Sequence, residues 1–276
     1  MVCNIFEGLL QKIQEKYPNT IHRHQSLSEP IIEQTLWFPY TLIVKNIDTE
    51  NYKIVTYHDR PHLIARQLIN NPDRMSCKAI LATPFSNQEE GIIPVSYCCY
   101  HRDSNKMISD LDTSFKNKKE DKLLFRGLIY RHRKDLQEQI LKTNTKILSM
   151  TNQTIPVNDY IMELNDHQIG ISFNGAAEIC YRDIEILGVN SVLFRPLFLT
   201  TQTTNPLVAE YHYVSYEKKE TSQEQLRCII DKYLSIIEDK EYLKYISDNG
   251  NAWYQNNGTS AKNTEILFQY LELEDL

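Results

Sequence analysis

The chain has 276 residues, 24% of them charged and 41% hydrophobic, with a formal net charge of −6 at pH 7. That length can bury a full core in one large domain or two small ones, and the acidic balance speaks against a protein that coats nucleic acid. No stretch approaches the roughly 20 apolar residues of a membrane span.

The opening Met1 to Glu7 shows no basic stretch leading into an apolar one, so a cytoplasmic protein, soluble or peripheral at a membrane, is expected. The six cysteines (Cys3, Cys77, Cys98, Cys99, Cys180 and Cys228) are scattered. They show neither a disulfide framework nor zinc spacing and read as reduced, buried thiols.

In chain order, residues 4–16 place Ile5, Leu9, Leu10 and Ile13 at helical spacing. A polar stretch follows, including His22 and His24, which read as surface residues rather than a metal pair because no third ligand is near. Leu36–Val44 and Tyr52–Tyr57 read as strands. The second ends at His58-Asp59-Arg60-Pro61, where the proline forbids further ladder pairing. Asp59 therefore falls on a loop at a strand's C-terminal end, either a general base or a plain turn aspartate. Ala79–Pro84 and Ile92–Tyr100 are further strands, the latter burying Cys98 and Cys99. Residues 101–122 are polar and charged and suit a crossing between two halves.

The second half alternates strand and helix. Leu123–Phe125 is a strand, 131–142 a helix, and Tyr160–Leu164 a strand or its approach. Ile169–Phe173 is a strand, 177–187 a helix, and Ser191–Phe194 a strand. Helices follow over Gln225–Glu238 and Glu241–Asn249, the last stopped by Gly250. This rhythm implies an α/β fold with a parallel sheet covered by helices.

Two segments suit an anion. In Ile171-Ser-Phe-Asn-Gly-Ala-Ala-Glu-Ile-Cys-Tyr-Arg182 a strand runs into Gly175, Ala176 and Ala177, and a helix then carries Arg182. Small residues let backbone N–H groups approach a phosphate, and a guanidinium can add two further bonds. The alternative is an ordinary strand-to-helix turn with a surface arginine. The second segment holds eight Lys or Arg between Lys116 and Lys134 against two acids. There Lys116, Lys118 and Lys119 read as a solvated face. Arg126 before Gly127, and Arg133 on the next helix, read as an anion site.

In this order the segments resemble glycosyltransferase family 90, the CAP10-like proteins that include protein O-glucosyltransferases and capsule xylosyltransferases. The resemblance rests on Ile54 to Pro61, Ala82-Thr-Pro-Phe-Ser-Asn87, Ile93-Pro-Val-Ser-Tyr97, Phe125-Arg-Gly127 with its basic continuation to Asp135, Phe173 to Arg182, Leu187 to Phe194, and Tyr211-His-Tyr-Val214. It spans roughly 35–255 and is nearest to the compact bacterial and large-virus members.

The resemblance implies a GT-B-like pair of Rossmann-like lobes with a donor cleft between them. Residues 1–119 would form the acceptor-side lobe, 120–250 the nucleotide-sugar lobe, and 251–276 a segment packing back on the first. It implies inverting transfer from a UDP-sugar, xylose favoured and glucose next, to an oligosaccharide or glycoconjugate, with no metal or other cofactor. Asp59 falls on the catalytic base. Gly175, Ala176, Ala177 and Arg182 fall on the diphosphate loop, Arg133 or Lys134 on a second basic contact beside Arg126 and Gly127, and Glu163 near an acidic position before the donor strand. The 175–182 loop is one residue longer than in eukaryotic members, and Leu128 replaces a small polar residue after Phe-Arg-Gly. The alternatives are an inactive binding module of the same fold, or a metal-dependent GT-A transferase built on Asp110 and Asp112.

Overall fold

The computed structural model describes residues 4–16, 20–25, 41–46, 52–56, 77–82, 92–94, 102–129, 132–174, 178–198 and 203–271. Helix α1 (Asn4–Lys16) leads into a first sheet of β1 (Thr20–Gln25), β2 (Thr41–Asn46), β3 (Tyr52–Thr56), β4 (Cys77–Ala82) and β5 (Ile92–Pro94), in that spatial order. Strands β1, β2 and β3 pair antiparallel, and β3, β4 and β5 parallel. The polar segment holding His22 and His24 is thus a strand. It lies at the sheet's edge, where a polar sequence discourages pairing with other chains.

Helix α2 (Arg102–Asp110) lies within the expected crossing. The second sheet follows through β6 (Glu120–Arg126), α3 (His132–Thr143), β7 (Leu148–Thr151), α4 (Val157–Asp166), β8 (His167–Ile171), α5 (Tyr181–Gly188), β9 (Val192–Pro196) and β10 (Val214–Tyr216). Its spatial order is β7-β6-β8-β9-β10, and every pairing is parallel. The chain is α/β, and this sheet is doubly wound in the Rossmann manner.

Alternation along the strands explains its three layers. Leu123 and Phe125 of β6, and Val192 and Phe194 of β9, bury toward Leu136, Ile140, Leu226 and Ile229 of α3 and α6 (Ser222–Ile236). Leu124 and Leu193 bury on the other face, with Ile161 and Leu164 of α4 and Ile184 and Leu187 of α5. Each such side chain contributes about 1.5–3 kcal/mol by leaving water. Helix α7 (Lys240–Trp253) adds Leu243 and Ile246, and α8 (Ser260–Leu271) packs on α1 through Leu267, Leu9 and Ile13 and approaches β4.

Three expectations are corrected. Tyr160–Leu164 lies in helix α4, because Val157, Tyr160, Ile161 and Leu164 repeat at helical spacing behind Pro156. Helix α7 runs through Gly250, where a Cβ would stand 2.7 Å from the His212 carbonyl oxygen; this glycine permits close packing rather than ending the helix. Lys118 is 6% exposed, not solvated. Its Nζ donates to the carbonyls of Asn165 and Val189 at 2.8 Å, at the ends of α4 and α5. Burial lowers its pKa to about 8, against the pull of Asp166 and Asp112.

Candidate functional site

In the order β7-β6-β8-β9-β10 the winding reverses between β6 and β8. Sheets of this kind take ligands at that switch point, outside the strands' C-terminal ends. Arg126 and Gly127 stand at the end of β6, Phe173 and Asn174 follow β8, and Arg182 rises from the first turn of α5. Folding therefore gathers both candidate anion segments at one edge.

Gly127 has φ +154°, and a Cβ there would come within 2.0 Å of Nη2 of Arg182. Only glycine leaves that space and adopts that backbone without strain. Arg182 uses it: Nη2 donates to the Arg126 carbonyl, and Cζ lies 4.4 Å from the centre of the Phe125 ring. Nε of Arg182 is buried and has no hydrogen-bond partner among the described residues. Burial works against its charge, but Tyr160, Cys180, Glu185 and Asp183 outweigh that and raise its pKa. The cation is permanent.

Tyr160 of α4 donates its hydroxyl to Oε2 of Glu185 at 3.1 Å, and Glu185 lies one turn beyond Arg182 on α5. Burial raises the Glu185 carboxyl to about 7, with Arg182 and the tyrosine bond pulling the other way. Burial and the nearby carboxylate push the Tyr160 phenol well up. Cys180, at the start of α5, is likewise pushed up by burial and by Asp183, so it remains a thiol.

The other predicted residues divide. Arg126 and Glu163 meet as a two-point ion pair, Nε to Oε2 at 2.5 Å and Nη2 to Oε1 at 2.7 Å, and Nη1 donates to the Gln153 carbonyl at 2.8 Å. These side chains are 14% and 29% exposed, so the guanidinium is committed to holding α4 and the 151–156 loop against the end of β6. Arg133 is buried and donates to the carbonyls of Leu128 (3.0 Å), Phe173 (2.9 Å) and Asn174 (3.0 Å), joining the loops after β6 and β8. Lys134 is exposed on α3 and does not join this group. Leu128 is 76% exposed on the loop after β6. Gly175, Ala176, Ala177 and Asp59 lie outside the described residues.

The paired acids Asp110 and Asp112 follow different uses. Asp110 ends α2, whereas Asp112 accepts from the Ser114 amide at 3.0 Å and from Nδ2 of Asn117 at 2.7 Å, closing a short 3-10 turn. No group of three possible metal ligands stands together among the described residues.

Sequence reasoning missed Arg195. It ends an apolar strand, where arginines usually reach solvent, yet it is fully buried and bonds Nη1 to Oδ2 of Asp183 at 2.6 Å. It also missed Tyr160 and Glu185, whose pairing needs α4 to be a helix. Beside Asn174 a cavity of about 180 Å³ opens over Leu136, Phe173, Pro196 and Tyr216, with the start of α6 at Thr221 on its rim.

No helix among the described residues is long and apolar enough to cross a membrane. No protein-family model matches the chain, and no curated protein matches it in sequence. Among solved structures it is similar to a glycosyltransferase from Rickettsia africae ESF-5, at 10% identity over 79% of this chain and 71% of that one, with TM-score 0.48. It is similar to Anabaena Alr3699/HepE in complex with UDP and glucose, at 11% identity over 79% and 71%, with TM-score 0.48. It is also similar to the pneumococcal O-GlcNAc transferase GtfA in complex with UDP and GlcNAc, at 8% identity over 72% of this chain and 46% of that one, with TM-score 0.48.

Proposed function

We propose that the chain is an inverting, metal-independent glycosyltransferase of the family 90 type. It would move a sugar from a UDP-sugar, xylose before glucose, to a hydroxyl of an oligosaccharide or glycoconjugate. The observation that carries this reading is Arg182. It is a permanent cation set into the space above Gly127, at the switch point of a doubly wound sheet, with a buried Nε unpartnered among the described residues.

In this reading the donor diphosphate lies across the ends of β6 and β8, beside Gly127 and Asn174. Arg182 turns from the Arg126 carbonyl onto a phosphate oxygen, exchanging a neutral acceptor for a charged one. Arg133 and Arg126 keep the surrounding loops in place, and the cavity beside Asn174 has the apolar floor and polar rim that suit the uracil base.

Asp59 takes the proton of the acceptor hydroxyl while that oxygen attacks the anomeric carbon from the side opposite UDP. The bond to the diphosphate oxygen breaks, UDP leaves with the electron pair, and configuration inverts. Arg182 stabilises the charge growing on the leaving group.

The test is UDP release from UDP-xylose and UDP-glucose in the presence of EDTA, with and without glycan acceptors, beside calorimetric titration with UDP. Release that needs a divalent cation removes the metal-free scheme. A chain that neither binds UDP nor releases it from any UDP-sugar removes the whole reading.

A further inference from the structure

Arg182 has a carboxylate beside it that the transfer scheme leaves unused. Glu185 follows it by three residues on α5, so the two side chains are neighbours on that helix. From α4, the Tyr160 hydroxyl donates to Oε2 of Glu185 at 3.1 Å. The guanidinium meets neutral partners, the Arg126 carbonyl and the Phe125 ring, and its buried Nε meets none among the described residues.

The surrounding charges are matched elsewhere. Asp183 of α5 holds Arg195 of β9, Oδ2 to Nη1 at 2.6 Å. Arg195 also bonds Oδ1 of Asn174 and the carbonyls of Glu178 and Pro196. Glu163 of α4 pairs with Arg126 of β6, and Lys118 sits at the far end of α5 on the Val189 carbonyl. Cys180, ahead of α5, remains a thiol beside Ser172, and Tyr254, beyond α7, lies against Gly188 at the end of α5. Of the two carboxylates that act on Arg182, Asp183 and Glu185, only Glu185 has no cation bonded to it among the described residues.

A carboxyl in this place is poised between its two forms. Burial favours the neutral acid and raises it to about 7, while Arg182 and the tyrosine bond favour the carboxylate. An anion that settles on Arg182 occupies the cation and adds negative charge of its own. It therefore removes the strongest support of the carboxylate.

We propose that Glu185, held by Tyr160, is the proton-coupled counter-ion of Arg182, charged in the free chain and protonated when a diphosphate binds. The proton comes from solvent and returns to it when UDP leaves. Arg182 is thus matched in both states, by its own chain when free and by the substrate when loaded. Glu185 acts through Arg182 and does not touch the donor. This rests on the donor-site reading above.

The experiment titrates the full chain with UDP-glucose and UDP-xylose by calorimetry, in buffers of different ionisation heat and from pH 6 to pH 8.5. A sugar-linked diphosphate has no proton to exchange in that range, so any uptake belongs to the protein. Below about 7 the acid is protonated with or without donor, so binding is tightest there and weakens as pH rises. Wild type should take up about half a proton per donor at pH 7.5, and its affinity should fall about five- to tenfold across the range. Glu185→Gln keeps an acceptor for Tyr160 and imitates the protonated acid. It should bind at pH 8.5 about as tightly as wild type at pH 6, with no uptake. Tyr160→Phe removes a bond that favours the carboxylate, so its affinity should hold to a higher pH before falling.

Donor binding without proton uptake in wild type overturns the proposal and leaves the donor reading standing. Undiminished uptake in Glu185→Gln overturns it too and gives the proton to another group. If Glu185→Gln does not fold, Tyr160→Phe decides, and a pH profile unmoved from wild type overturns the proposal. A wild-type chain that binds neither UDP nor a UDP-sugar removes the donor reading, and the proposal with it.

Discussion

Arg182 lies where a side chain on residue 127 would begin: a Cβ at Gly127 would stand 2.0 Å from Nη2 of Arg182. The glycine and the arginine are therefore one device. The strand end of β6 is kept bare so that a cation from α5 can cross it, resting on the Phe125 ring and the Arg126 carbonyl. Gly127→Ala both fills that space and strains a backbone at φ +154°. Unfolding in urea should show a loss of about 1–3 kcal/mol, together with weaker UDP binding. Wild-type affinity in a folded Gly127→Ala protein would separate the two residues.

Arg182→Ala removes the cation without straining the backbone. A hydrogen bond to a charged group contributes about 1.5–3 kcal/mol, so UDP should bind roughly ten- to a hundredfold more weakly by calorimetry. Arg182→Lys should recover little of this, since an ammonium cannot both rest flat on Phe125 and give two parallel bonds to a phosphate. Full recovery by lysine would show that charge alone matters at this position.

Arg126 and Glu163 were both expected at the donor, and what the structure shows is that they bind one another. A two-point pair at 14% and 29% exposure should show a coupling energy of about 1–3 kcal/mol in a double-mutant cycle of Arg126→Ala and Glu163→Ala. UDP affinity should change less in either single variant than in Arg182→Ala. A coupling near zero would mean that the pair is solvated and adds little.

The strand–helix alternation of the second half was enough to read a parallel, doubly wound sheet, because buried parallel strands are near-continuous apolar runs. What escaped was short or at an edge: β1, polar because only one side pairs, and β7, four residues long. Helix α4 looked like a strand because Tyr160, Ile161 and Met162 are adjacent, although 157, 160, 161 and 164 mark one helical face. At the site, Gly127 and Arg182 were legible as separate motifs, but not their contact. Arg195 was not legible: an arginine after Val192-Leu-Phe194 gains meaning only when Asn174, Glu178 and Asp183 come into reach.

Glu185 makes stability depend on pH. Its carboxyl is raised from an ordinary 4.5 to about 7, chiefly by burial, with Tyr160, Arg182 and Asp183 around it. Between those values the folded chain binds more protons than the unfolded one. The stability this group adds is therefore full below about 4.5 and is lost as pH rises through about 7. Glu185→Gln should melt near wild type at pH 5 and gain on it by about 2 kcal/mol at pH 8. An equal difference at both values would place the titration elsewhere.

The last prediction concerns the proton. Asp59 lies outside the described residues, but it follows β3, the middle strand of the first sheet, which ends at Thr56. A base that acts only on the acceptor adds nothing to donor binding, so Asp59→Asn should bind UDP as tightly as wild type while losing nearly all turnover. General-base catalysis contributes about 100- to 10,000-fold, and kcat should fall within that range or below it. An asparagine can still accept a hydrogen bond from the hydroxyl but cannot keep its proton, so acceptor KM should change little. Loss of UDP affinity in Asp59→Asn would instead make the residue part of the donor seat, and unimpaired turnover would leave the proton to another group.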